Sequence, residues 1–340
     1  MDGRPESTAQ ALLAPGKGIL AADESLPTIG KRFAALQIPS TEENRQAYRE
    51  LLFTAPALGE FISGAILFDE TIRQKTGGGA PMPEILARQG VIPGIKVDQG
   101  TMALPAFAGE KTTQGLDGLR DRLAAYRELG ARFTKWRAVI VIGEGRPTAT
   151  CLEANARALA LFAALSQEAG LVPIVEPEVL MDGNHTIARC EAVTSATLKT
   201  VFAALFDHRV VLEAMLLKTG MLLPGQDCLQ QAAVEEVAEV TIRCLRRAVP
   251  AAVPGIVFLS GGQSDLAATG RLNAICRAGD VPWKLSFSFG RALQDAAMKT
   301  WSGSPDNAAA AQAALLHRAR CNGLAVRGQY SAAIERNPLV

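Results

Sequence analysis

In residues 171–178, LVPIVEPE, an apolar and β-branched run breaks off in two glutamates, Glu176 and Glu178, spaced two apart. Side chains alternate across a strand, so these two carboxylates share one face. Seven further segments read as strands by the same signs, each bounded by Gly, Pro or Asp. They are 17–23 (KGILAAD), 62–69 (ISGAILFD), 92–98 (IPGIKVD), 131–137 (ARFTKWR), 210–218 (VVLEAMLLK), 255–261 (GIVFLSG) and 283–289 (WKLSFSF). For the fourth strand, AVIVI at 138–142 is an alternative to ARFTKWR. Between the strands lie stretches of 3.6-residue periodicity, over 42–54, 116–129, 150–169, 187–206, 234–247 and 266–276.

Eight strands alternating with helices over about 270 residues, with no linker or composition break midway, predict one closed (β/α)8 barrel of the TIM type rather than two doubly wound domains. Residues 1–340 then form a single α/β domain, with a barrel core over about 12–303 and additional terminal helices. A helix is predicted over 304–320 and a loosely structured tail beyond Gln329, so that 304–340 forms a C-terminal appendage.

The 340 residues are 48% hydrophobic and 20% charged, which supports a large core and excludes global disorder. Thirty-five basic against 34 acidic residues leave a net charge of +1, so no long-range field steers the chain onto nucleic acid or an anionic membrane. No apolar run reaches the length needed to span a bilayer, and Met1 to Gln10 lacks the apolar region of a signal peptide. These features predict a cytoplasmic protein with no membrane or nucleic-acid partner. Six scattered cysteines without a CxxC pair read as reduced thiols. The three histidines, His185, His208 and His317, lack HxH or HxxxH spacing, so no histidine-built metal site is expected.

In such a barrel the C-terminal strand ends form the active face. Nearly every predicted strand ends there in polar or charged residues: Asp23, Asp69, Lys96 with Asp98, Lys135 with Arg137, Glu176 with Glu178, Lys218, Ser260, and Ser288 with Arg291. One such end alone is commonly solvated, but eight converging on a single mouth are costly to bury unless they pair with each other or with substrate. Lys218 follows the apolar run VVLEAMLL. Desolvation and the cations Lys135 and Arg137 favour a neutral amine there, able to attack a carbonyl. In FLSGGQS, residues 258–264, Ser260, Gly261 and Gly262 lie after a strand and before a helix, where backbone N–H groups and the helix dipole suit phosphate. Arg291 stands just past strand eight, where barrels commonly complete a phosphate site. Lys31 and Arg32 form a second basic cluster.

Together the segments GKGILAADES (16–25), TEENR (41–45), GIKVDQG (94–100), TTQGLDGL (112–119), KWRAV (135–139), VPIVEPE (172–178), GIVFLSGGQS (255–264) and FSFGRALQ (287–294) resemble the class I, Schiff-base fructose-1,6-bisphosphate aldolase family, from about Leu12 to Gly328. The resemblance implies a metal-independent lyase of glycolysis and gluconeogenesis, without cofactor, acting on a phosphorylated sugar and assembled as a homotetramer. It implies that Lys218 forms the imine, that Glu176 is the acid/base of imine formation and dehydration, and that Asp23 takes the substrate hydroxyl proton. Lys135, Arg137 and Glu178 match the charged residues that tune this centre. Ser260, Gly261, Gly262, Ser288 and Arg291 match one phosphate site, and Thr28, Lys31, Arg32 and Lys96 match positions around the other end of the sugar. Preference for fructose 1-phosphate or sedoheptulose 1,7-bisphosphate is the alternative, and a barrel kept as a binding scaffold a third reading.

The chain departs from the family pattern at several points. Thr219-Gly220 stand where relatives commonly carry Pro-Asn, Thr28 where a serine is common, and Phe289 where a tyrosine is common. No tyrosine follows Tyr330, whereas vertebrate members end in one. An aldolase less dependent on its tail is the expectation.

Overall fold

A computed structural model describes residues 4–336. Eight parallel strands close a barrel: β1 (Gly18–Ala22), β2 (Ile62–Leu67), β3 (Ile92–Lys96), β4 (Phe133–Ile140), β5 (Val172–Val179), β6 (Leu216–Thr219), β7 (Gly255–Phe258) and β8 (Lys284–Phe289). Each strand pairs with its sequence neighbours, and β8 closes onto β1 with Ile19 opposite Ser288.

Two apolar layers follow from strand alternation. On β4, Phe133 faces the lumen with Ile19, Ile66, Ile92, Ile174, Leu216 and Val257. The intervening Trp136 faces outward and stacks on Phe162 of helix Ala149–Glu168 at 5.6 Å between ring centroids. Helix Pro5–Leu12 plugs the N-terminal end of the lumen with Ala9 and Leu12. Gly94 is required in this layer, because a Cβ there would lie 2.3 Å from the Phe133 ring. Towards the C-terminal ends the same inward positions turn polar, so the lumen is a packed plug below and a charged mouth above.

The surrounding helices begin where the sequence supplies caps. Thr41, Thr148, Thr186 and Ser264 each accept a backbone N–H from the first turn of the helix that follows. The predicted helices all form, within a few residues of their expected ends.

The differences are local. The fourth strand spans both candidates, FTKWR and the start of AVIVI, as one eight-residue element. Residues 210–215 are not strand: Leu212–Ala214 is a 3-10 turn, and the Gln167 side chain binds both the N–H and the carbonyl of Val211, which leaves nothing for a ladder. β7 stops at Phe258, and 259–261 already belong to the turn. The last long helix is Ala308–Val326, delayed by a 3-10 turn, Pro305–Asn307, and extended beyond Arg320. The tail is not loose up to Glu335. It forms a short helix, Ala332–Glu335, held because Glu335 accepts from Tyr330 and Arg318. The part of that tail beyond residue 336 lies outside the described residues. A hairpin, Thr101–Ala103 with Lys111–Thr113, and helices Leu26–Ala34 and Met82–Arg88 were not anticipated.

Candidate active site

The mouth of the barrel holds a pocket of about 310 Å³. At its centre four buried or nearly buried charges alternate in sign. Lys218 Nζ lies 3.2 Å from Glu176 Oε1, Lys135 Nζ lies 2.8 Å from Glu176 Oε2, and Lys135 Nζ also lies 3.1 Å from Asp23 Oδ2. The Lys218 side chain is only 4% exposed. These groups converge because β1, β4, β5 and β6 present them from inward positions one step above Ala21, Phe133, Ile174 and Leu216.

Burial opposes charge on Asp23, Glu176 and Lys135, yet in each case the neighbours prevail. Asp23 is held well below the usual carboxylate range because Lys135, Lys218 and Lys96 outweigh its desolvation. Glu176 is lowered against its burial by Lys135, Lys218 and Arg137. Lys135 is raised against its burial by Asp23, Glu176 and Asp98. The resting cluster therefore contains two carboxylates locked to an ammonium that does not titrate near neutrality.

Two further pairs flank it. Arg137 donates to Glu178, and it is raised because that carboxylate and Glu176 outweigh its desolvation. Lys96 sits 3.3 Å from Asp98 and 5.6 Å from the centroid of the Phe68 ring. On the rim beside β7 and β8, Ser260 and Ser288 are buried, and the Ser288 hydroxyl has no protein partner. Arg291 reaches back to the Gly261 carbonyl at 3.0 Å, so the ends of β7 and β8 are tied together. Gly261 adopts φ +50°, which turns the chain sharply after β7.

Of the strand-end groups expected to converge, Asp69 does not: it opens helix Asp69–Arg73 and binds Arg73 and Tyr126 instead. All but two of the residues to which the resemblance gave roles line the pocket. Thr28 and Arg32 enter it from helix Leu26–Ala34, whereas Lys31 projects from the exposed face of that helix. Gly262 lies just outside, its N–H 3.2 Å from Met181 Sδ. A larger groove of about 780 Å³, between helices Val234–Ala248 and Asp265–Arg277, contains none of the strand-end groups.

Sequence reasoning missed a second buried knot beneath Arg32. Glu24 binds Arg32 and Arg49, each at 2.7 Å, and accepts from Gln294 at 2.9 Å. Its carboxyl is lowered against burial by the two arginines. Gln294 also donates to the Ala21 carbonyl and accepts from Tyr48, so β1, helix Glu42–Phe53 and helix Arg291–Trp301 meet at this point. Asp23 and Glu24 both reach the pocket from the loop after β1, and Glu24 is claimed by arginines far away in sequence, so no local pattern marked it.

The sequence model of a family described as "Glycolytic: Fructose-bisphosphate aldolase class-I" matches residues 6–338. A probable fructose-bisphosphate aldolase class 1 of Xanthomonas campestris pv. campestris is 59% identical over 324 residues, covering 95% of this chain and 97% of that protein. The cytosolic fructose-bisphosphate aldolase 5 of Arabidopsis thaliana is 54% identical over 326 residues, covering 95% and 90%. Among solved structures, fructose-bisphosphate aldolase from Plasmodium falciparum, in complex with TRAP and a small-molecule inhibitor, superposes with a TM-score of 0.95 at 49% identity, covering 96% of this chain and 95% of that one. No helix among the described residues is long and apolar enough to cross a membrane. The chain belongs to the class I fructose-bisphosphate aldolase family.

Proposed function

We propose that this barrel mouth cleaves fructose 1,6-bisphosphate to dihydroxyacetone phosphate and glyceraldehyde 3-phosphate through an imine on Lys218. The activity is that of a class I fructose-bisphosphate aldolase, a lyase. Neither fructose 1-phosphate nor sedoheptulose 1,7-bisphosphate is favoured, because the relatives are named for fructose bisphosphate. The scaffold reading falls with the same family membership.

The observation that carries the residue roles is the chain Asp23–Lys135–Glu176–Lys218, with contacts of 3.1, 2.8 and 3.2 Å. Glu176, a carboxylate at hydrogen-bond reach, takes one proton from Lys218 so that the neutral amine attacks the ketone, and hands it to the former carbonyl oxygen. It then takes a second proton from the carbinolamine nitrogen and passes it to the hydroxyl as water leaves, so that the imine left behind is protonated. The protonated imine then takes up the electron pair of the breaking carbon–carbon bond. Asp23, kept ionised by Lys135, is in the form that accepts the C4 hydroxyl proton. Lys135 holds both carboxylates in place, and Arg137 with Glu178 orders the adjoining wall. Ser260, Gly261, Ser288 and Arg291, with Gly262 on the outer side of the turn, bind one phosphate. Thr28, Arg32 and Lys96 meet the other end of the sugar, and Lys31 adds positive charge from outside. Two anchored ends hold the reacting carbons over Lys218.

Residues 1–340 act as one barrel domain with a C-terminal appendage at 304–340. We place the protein in the cytoplasm as a homotetramer, with cytosolic isozymes among its relatives supporting the location. Borohydride reduction with dihydroxyacetone phosphate in excess EDTA, followed by peptide mass analysis, tests the assignment. A covalent adduct on Lys218 is expected. An unmodified Lys218 in a protein that binds the ligand overturns it.

A further inference from the structure

Far from the pocket, helix Ala308–Val326 carries His317 and Cys321 one turn apart, so both side chains face the same side. The short tail helix Ala332–Glu335 brings Glu335 against them. His317 Nε2 lies 3.4 Å from Glu335 Oε2 and 3.7 Å from Cys321 Sγ, and one donor atom from each residue falls within 4.8 Å of the others. Among the described residues this is the one such grouping of three His, Cys, Asp or Glu side chains. We propose that His317, Cys321 and Glu335 form a site for Zn²⁺, open at one position, that fastens the tail to helix Ala308–Val326.

The geometry carries this. A tetrahedral zinc ion with usual bond lengths sets its nitrogen and sulfur ligands about 3.6 Å apart and its nitrogen and oxygen ligands about 3.4 Å apart. The observed separations are 3.7 and 3.4 Å. One nitrogen, one sulfur and one oxygen donor leave a fourth position for water. Cys321 is buried, while His317 and Glu335 reach the surface and give the ion a way in. The carboxylate is already oriented, because Arg318 donates to Oε2 and Tyr330 donates to Oε1 at 2.7 Å, as outer partners of metal ligands do. The adjacent arginines, Arg318 and Arg320, oppose a cation, and the two negative charges of a thiolate and a carboxylate offset them. Burial pushes the Cys321 thiol up to about 11, so without metal it stays protonated. On binding, the S–H proton is released to solvent and the sulfur lone pair forms the metal bond. The histidine spacing hid this grouping, since two of its ligands are not histidines and Glu335 comes from the tail.

None of these residues lines the catalytic pocket, so cleavage does not depend on the ion. Arg318 also donates to Thr269 on helix Asp265–Arg277, which begins just after the 260–264 turn, so the fastening reaches the element behind the proposed phosphate site.

The test is titration of the full, EDTA-stripped and desalted chain with Co²⁺, followed by displacement with Zn²⁺. One equivalent of cobalt should give a near-ultraviolet thiolate-to-cobalt band that zinc bleaches. Cys321→Ser and His317→Gln should abolish the band, and Glu335→Gln should weaken cobalt binding at least about tenfold, the loss of roughly one ligand's contribution. Absence of the band overturns the proposal, as does its persistence in Cys321→Ser or unchanged affinity in Glu335→Gln. If Cys321→Ser does not fold, the rim variant Glu335→Gln decides alone.

Discussion

Lys135 and Lys218 are both buried in one cluster, but their removal should have unequal consequences for stability. Among the described residues Lys135 contacts two carboxylates, at 2.8 and 3.1 Å, whereas Lys218 contacts one, Glu176, at 3.2 Å. In Lys135→Met, Asp23 loses its one direct side-chain partner among the described residues and Glu176 keeps one contact. Breaking a buried pair from one side costs about 3–5 kcal/mol. In Lys218→Met, Glu176 retains Lys135, and an apolar chain replaces a charge that had been taken out of water, so the cost is within about 1 kcal/mol. The gap of at least about 2 kcal/mol is roughly thirtyfold in the unfolding constant. The pH dependence follows from the same contacts. In the native protein Asp23 lies below its unfolded value of 3.8, so it contributes stability above that pH and loses it as pH falls further. Without Lys135, burial, the largest influence on Asp23, is opposed by Lys218 and Lys96 alone, and the expected outcome is an Asp23 raised above its unfolded value. The variant is then penalised at neutral pH and relieved on acidification. Urea unfolding followed by circular dichroism, at one protein concentration, should show the Lys135→Met deficit largest at pH 7 and shrinking towards pH 4. Equal midpoints for the two variants, or a deficit independent of pH, would refute this account of the cluster.

Four other outcomes are expected. Gly94→Ala places a Cβ 2.3 Å from the Phe133 ring and should cost about 1–3 kcal/mol, with Phe133→Leu restoring part of it in the double variant; additive effects in thermal melts would count against it. Arg291→Ala removes a charge-assisted bond to phosphate worth about 1.5–3 kcal/mol, so KM for fructose 1,6-bisphosphate should rise about tenfold or more while kcat changes less. Arg49→Met leaves Glu24 with Arg32 and Gln294 only and should destabilise by about 2–4 kcal/mol, read from urea midpoints. Deletion of 333–340 should leave cleavage and proton exchange on dihydroxyacetone phosphate within a few-fold of the intact chain, and loss of exchange would show that the tail takes part in chemistry.

The barrel was legible because alternation and strand length are local properties. LVPIVEPE, KGILAAD and IPGIKVD each carry both their inward apolar pair and their polar end within one short segment. The failures share one cause, competition from distant groups. VVLEAM is β-branched and apolar, yet the side chain of Gln167, from the preceding helix pair, takes the backbone groups of Val211. The tail is polar and short, and it is Arg318, Tyr330 and His317 that make Glu335 a docking point. Glu24 was invisible for the same reason, because Arg49 and Gln294 approach it from segments 25 and 270 residues away.

Charge alternation explains why the mouth can be at once buried and ready for an anionic substrate. Asp23, Lys135, Glu176 and Lys218 sum to zero, so folding does not confine a net charge in the lumen. Arg291 stands exposed on the rim, and the buried Ser288 hydroxyl beside it has no protein partner. Positive field for binding is thus kept at the edges, while the centre keeps its carboxylates ionised by internal lysines. Because the proton that Lys218 gives up passes to Glu176 within the cluster, the sum at the centre stays zero from ammonium through neutral amine to iminium. A cationic intermediate is therefore the charge state that the four-residue cluster is already built to hold.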